Sequence, residues 1–259
     1  MKSLVRWSAT IGLVGSTLVG SLLTNNMQAL ALPEAQVVQK LQSVPVFTVT
    51  DAQGSPLVAS VPNGQNKPTP VAGVFISQKD AQAFVERLKK EKPDLGQTVQ
   101  VVPVSLAEVY KLKKDNENKP DGLNFAFIPV QQQVQSAQAL MGQTGQQAQQ
   151  FQGTPLFVAK GGQDQGYLTV QENGKQVIPF FFDREQLQKM VERFKQQQPN
   201  VASTVQIQAV SLEGVIQTLQ TSNNEQLNNI VIVPSQEALT FLQSLPAAPA
   251  TPQAAPQRR

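Results

Sequence analysis

The chain contains no cysteine and no histidine among its 259 residues. That excludes disulfides, thiol nucleophiles, Cys-rich zinc sites, imidazole general bases and haem held by histidine. Charged residues are scarce at 15%, and no Lys/Arg cluster accompanies the net charge of +3. The basic stripe expected of a nucleic-acid binder is therefore missing. Methionine is rare as well: four in the chain, of which Met141 and Met190 alone follow the expected leader. An adaptable Met-rich binding surface is thereby excluded. What the chain does have is glutamine. Its 39 Gln equal all 21 basic and 18 acidic residues together, so neutral amides do much of the solvation. Hydrophobic residues at 40% suffice for a sizeable core.

Lys2 and Arg6 precede an apolar run from Ile11 to Leu23, and Ala29-Leu30-Ala31 offers small residues at a cleavage site. The pattern predicts a secretory signal peptide over 1–31. The run is short and Gly-rich for a membrane span. No cysteine follows the cut, so a lipoprotein is not expected. Loss of Lys2 and Arg6 takes the formal charge from +3 to +1. The product is expected to be soluble after cleavage, in a bacterial periplasm or a thylakoid lumen. Both compartments accept such a signal.

The remainder repeats itself. Val85-Glu86-Arg87 recurs as Val191-Glu192-Arg193, Pro93 as Pro199, Thr98-Val99-Gln100 as Thr204-Val205-Gln206, and Val104-Ser105-Leu106 as Val210-Ser211-Leu212. All keep one spacing and one order. The expectation is two tandem copies, 32–141 and 154–245, joined by a Gln/Gly-rich linker at 142–153. An Ala/Pro/Gln tail at 246–259 is expected to be disordered.

Each copy predicts the same elements. Val46-Phe47-Thr48-Val49, Leu57 to Val61 and Val71 to Ile76 read as strands, as do Tyr167 to Val170 and Val177 to Phe182. Asn63-Gly64 and Asn173-Gly174 are hairpin turns. Ala81, Phe84, Val85 and Leu88, like Leu187, Met190, Val191 and Phe194, form helical stripes. Ser77 with Asp80, and Asp183 with Gln186, read as N-cap pairs. Val99 to Val104 and Val205 to Val210 are strands, followed by short helices capped by Ser105 and Ser211. Phe125 to Ile128 and Ile230 to Val233 close each copy, each leading into an exit helix. The fold class is α/β of the mixed α+β kind. Two pseudo-symmetric repeats are expected, each a mixed sheet with helices packed on one face.

Phe180-Phe181-Phe182 supplies both faces of one strand with aromatic rings, and Phe125 and Phe127 share a face of another. Either these are core residues, or they line an apolar groove for unfolded chains. Catalytic readings find little support. The run from Lys113 to Lys119 is a solvated loop. Gly161-Gly162 with Gly166 lacks the Lys and helix of a phosphate loop, so a hairpin turn is expected. No carboxylate pair is selected by spacing. No enzyme activity, cofactor or metal is expected.

The segments Val44 to Thr50, Asp80-Ala81-Gln82-Ala83-Phe84, Pro103-Val104-Ser105-Leu106 with Val109-Tyr110, Phe125 to Pro129, Gly153 to Ala159 and Ile178 to Phe182 together resemble the Tic twenty-two-kilodalton family. That family is named for a soluble component of chloroplast protein import and also occurs in cyanobacteria. The resemblance covers nearly all of the chain after the leader. It implies a two-halved α/β fold with apolar grooves on its flanks and no catalytic motif. It further implies a chaperone-like escort of unfolded precursor or outer-membrane proteins, delivered to the β-barrel insertase. The alternative is a non-catalytic adaptor that binds folded domains of that insertase.

Overall fold

Serine and glycine place the ends of several elements. The Ser77 hydroxyl accepts from the Asp80 N–H at 3.1 Å, opening helix α2 (Gln78–Glu91). Ser105 and Glu108 form a reciprocal capping box at the start of α4 (Leu106–Asn116). The Ser211 hydroxyl accepts from Gly214 N–H at 3.1 Å and opens α7 (Leu212–Thr221). Asn173 and Gly174 take φ of 49° and 77°. This left-handed pair makes the two-residue turn between β8 (Gly166–Glu172) and β9 (Lys175–Phe181). The computed structural model describes residues 11–13, 32–62, 68–119, 121–143, 150–162, 164–199, 203–222 and 228–244. The predicted Asn63-Gly64 turn, most of the leader and the tail lie outside those residues.

The first sheet contains β2 (Pro45–Asp51), β3 (Val58–Val61), β4 (Thr69–Phe75), β5 (Val99–Ser105) and β6 (Asn124–Ile128). β5 runs antiparallel to β2 along its whole length, from Pro45 opposite Ser105 to Asp51 opposite Val99. β4 lies antiparallel to both β2 and β3, and β6 parallel to β4. The second sheet has β7 (Pro155–Gly161), β8, β9, β10 (Gln206–Ser211) and β11 (Ile230–Val233). Its pairings run in the same order: β10 on β7, β7 and β8 on β9, and β11 parallel to β9. The fold is thus mixed α/β. The predicted glycine turn at Gly162, with φ of 80°, joins β7 to β8.

Both faces of each sheet are covered, whereas the sequence suggested one. The reason lies in the strands, which are apolar on both sides. Val46 and Val74 face a central seam, while Phe47, Val49 and Phe75 face outward. Leu156, Val158, Ile178 and Phe180 face the same seam from the second sheet, while Phe157, Ala159 and Phe181 face outward. The seam is filled by α1 (Glu34–Gln42), α4 and α7 through Leu41, Leu106, Val109, Leu212 and Leu219. Lys40 ties α1 to the second half. Its Nζ donates to the Asn228 and Ile230 carbonyls at 2.9 and 3.0 Å.

The outer layers are exchanged between the halves. α5 (Gln131–Gln143) follows the first sheet in sequence but packs Ala137 and Leu140 on the second, beside α6 (Arg184–Gln197). α8 (Gln236–Ser244) follows the second sheet but packs Ala238 and Phe241 on the first, beside α2. Phe241 meets Phe47 edge-on, with ring centroids 5.4 Å apart. A one-turn helix, α3 (Pro93–Gly96), follows α2. From the expected leader, Ile11–Leu13 form β1, paired antiparallel with Leu168–Val170 of β8.

Because α8 seals the first sheet, Phe47→Ala is expected to cost about 3–5 kcal/mol in denaturant unfolding. A Phe47/Phe241 double-mutant cycle is expected to return a coupling of about 1 kcal/mol. Additive single-mutant effects would contradict the exchanged packing.

Candidate functional site

The phenylalanines singled out from sequence occupy two kinds of place. Phe180, Phe181 and Phe182 are 4%, 5% and 3% exposed. Phe180 and Phe182 fill the central seam and Phe181 the outer core of the second sheet. They therefore present no surface to a client: a strand covered on both faces buries every ring. Phe125 and Phe127 are half-buried and lean on the seam. Phe127 lines a cleft of about 520 Å³ between α4 and α7. Lys113, Lys114, Tyr110 and Gln220 also line it, and Gln220 Nε2 donates to the Tyr110 hydroxyl at 2.9 Å. That cleft is mixed in character.

The apolar surface lies on the other face of the same strands. One residue along from the phenylalanines, Ala126 and Ile128 of β6 look outward. With Val71 and Gly73 of β4 they make the floor of a groove of about 530 Å³. A Cβ on Gly73 would come within 3.1 Å of Ile128 Cδ1, so glycine keeps this floor low. Phe84 and Leu88 of α2 and Leu95 of α3 form one wall, and β3 forms the rim. Val58, Val61 and Leu95 are 47%, 46% and 37% exposed, among the few large apolar side chains left to solvent. Among the described residues, Ser60 and Lys92 are the polar ones lining this groove, and no carboxylate lines it. The sequence marked Leu57 to Val61 as a strand but gave no sign of its exposure. Leu95, between Asp94 and Gly96, carried no recognisable signal.

A third depression, about 510 Å³ beside α6 and β10, mixes Val191, Val205 and Ile207 with Arg184, Glu192 and Lys195. Among the described residues, no group of three or more metal-ligating side chains occurs.

Carboxylates do converge where four helices begin, but as caps. Glu237 of α8 accepts from Lys79 N–H at 2.8 Å and from the Ser77 hydroxyl at 3.0 Å, at the start of α2. Asp183, expected to cap α6, makes no cap bond there. Its Oδ2 accepts instead from Gln236 N–H at 2.7 Å, so it serves α8. Gln133 of α5 accepts from Arg184 N–H at 3.1 Å and donates to Glu185 Oε2 at 2.9 Å. Burial raises the Asp183 carboxyl above its ordinary value; the Gln236 bond opposes this, and Glu185 and Glu237 add to it. Burial and then Glu237 raise Asp80. These groups anchor the exchanged helices, and none faces the apolar groove.

A groove of this kind offers mainly apolar contact. The model of the Tic22-like family matches residues 9–244. The chain belongs to the Tic22-like family. It is 34% identical to the solved Tic22 of Anabaena, a protein-transport protein, with a TM-score of 0.75 over 84% of this chain and all of that one. Tic22 from Plasmodium falciparum shares the fold, with 22% identity and a TM-score of 0.61 over 80% of this chain and 96% of that one. The chloroplastic protein TIC 22 of Pisum sativum is 24% identical over 230 residues, 88% of this chain and 84% of that one. No helix among the described residues is long and apolar enough to cross a membrane.

The cap network has a pH signature. A carboxyl with a raised folded pKa contributes stability below its unfolded value of 3.8, and loses it as pH rises through the folded value. Asp183→Asn keeps an oxygen to accept from Gln236 and removes that loss. It is expected to equal or exceed the parent at pH 7, with the difference shrinking towards pH 4 in denaturation curves. Asp183→Ala, which loses the acceptor, is expected to cost about 1 kcal/mol.

Proposed function

We propose that this chain is an exported, non-catalytic escort that binds unfolded outer-membrane proteins in the periplasm and hands them to the β-barrel insertase. The observation that carries this reading is the outer groove of the first sheet, with Val61 and Leu95 exposed around an apolar floor. An apolar patch left open on a folded chain marks an interaction site. Lys92 is the one charged residue among its described lining, and the rest of the contact is apolar or uncharged, which suits weak, sequence-tolerant binding. The protein-transport role of the Anabaena relative supports a polypeptide cargo. The leader signature over 1–31 supports export. We infer too that residues 32–141 and 154–245 are duplicated copies, on the strength of the repeated motifs and the like strand order of the two sheets.

The second reading, an adaptor for folded domains of the insertase, draws on the cleft between α4 and α7. Its mixed lining of Phe127 and Tyr110 with Lys113, Lys114, Glu117 and Glu213 suits a folded surface of both charge signs better than an unfolded chain.

Purified protein is expected to suppress aggregation of a urea-diluted β-barrel protein. Burial of one Val or Leu contributes about 1.5–3 kcal/mol. Val61→Glu combined with Leu95→Glu is therefore expected to weaken client binding about tenfold or more. Charges at Phe127 and Ile216 in the central cleft would leave suppression intact. Equal suppression by parent and groove variant, with loss on altering the central cleft, would support the adaptor reading instead.

A further inference from the structure

β3 and β8 hold the same place in their sheets. Each spans the fork where two antiparallel strands diverge. The residues leading into β3 touch β2, where Pro56 bridges Thr50 and Leu57 N–H donates to the Val49 carbonyl at 2.8 Å, and β3 itself pairs with β4. β8 pairs at its start with β7 and then with β9. Their outer edges differ. On β8 that edge carries a third strand, Ile11–Leu13, opposite Leu168–Val170. On β3 no described residue pairs with it.

Proline fixes which groups of β3 point outward. Ser60 lies opposite Pro70, which has no N–H to give. The hydrogen-bonded pairs with β4 must then be Ala59 with Val71 and Val61 with Thr69. The N–H and C=O of Val58 and Ser60 consequently face away from the sheet. Unpaired strand edges are usually guarded by charge, proline or a covering element. Val58-Ala59-Ser60-Val61 has no charge and no proline, and all four residues are exposed.

We propose that the outer edge of β3 takes an extended segment of an unfolded client as an added strand, as the edge of β8 takes Ile11–Leu13 in the chain that still carries its leader. This rests on the escort reading above and names how the client is held. The Val58 and Ser60 backbone groups pair with the client backbone, a contact indifferent to sequence. Alternate client side chains enter the groove against Val61 and Leu95, a contact that selects apolar residues at every second position. Membrane β-strands carry that alternation. The stated occupant is thus an extended segment with apolar side chains at alternate positions.

The test uses the full chain and a fluorescent Lys-flanked peptide alternating Val and Thr over eight residues. Its affinity is read by anisotropy against a version N-methylated at every interior amide. The plain peptide is expected to bind, and the N-methylated one at least tenfold more weakly. Ser60→Pro removes an outward N–H that β4 does not use, and is expected to weaken the plain peptide at least fivefold. Ser60→Ala, which keeps the N–H, is expected to match the parent. Circular dichroism checks that each variant folds, and the peptide pair decides the matter if Ser60→Pro does not. Equal binding of both peptides overturns the proposal, because side chains alone would then hold the client. No binding of the plain peptide while aggregation is still suppressed also overturns it and leaves the escort reading standing. Peptide binding without suppression keeps the edge site and removes the escort reading. Occupation of the edge by a second copy, seen as a dimer by light scattering that the peptide cannot dissociate, overturns it as well.

Discussion

Two sheets with apolar residues on both faces need most of each face covered to stand in water, and the way this chain covers them determines the rest of the molecule. The inner faces share α1, α4 and α7, whose leucines close the seam. The outer faces are covered by helices from opposite halves of the sequence. α8 reaches back to Phe47 and α5 reaches forward to Phe157. Neither half can then bury its outer core alone. The carboxylates Glu237 and Asp183 fix this exchange, each accepting from the start of a helix other than its own.

The same arrangement leaves a groove on the first sheet. α8 packs over Phe47 on the outer face, and α2 lies alongside. Over Val71, Gly73 and Ala126 no described helix is laid, and apolar floor remains reachable from solvent. A polypeptide-binding role needs no reactive group, which fits a chain without cysteine or histidine. The abundant glutamine solvates the remaining exterior without adding a field of either sign.

Local structure was legible where chemistry is local. Ser77, Ser105 and Ser211 open helices because a hydroxyl satisfies an otherwise unpaired N–H. Asn173-Gly174 turns because both residues accept positive φ. Pro93 and Pro199, which recur at one spacing, follow the ends of α2 and α6. What the sequence could not carry was partnership at a distance. The stripes Ala137/Leu140 and Ala238/Phe241 fit any apolar sheet, so their exchange was invisible. Asp183 has the right chemistry for a cap but serves another helix. For the site, the strand through Phe125 and Phe127 was the right one but the open groove is on its other face. Parity tells which residues share a face, and only packing tells which face stays open. Exposure of Val58 and Val61 depends on β3 lying at the rim of its sheet, a property of topology rather than of composition.

The central claim is that unfolded chains are held on the outer face of the first sheet, along β3. Amide hydrogen exchange measured residue by residue, with and without a bound unfolded β-barrel client, addresses it directly. The account predicts slowed exchange at Val58 and Ser60, with α3 around Leu95 slowed to a lesser degree. The cleft between α4 and α7 is predicted to stay unchanged. Protection confined to that cleft, with β3 exchanging as freely as before, would contradict it.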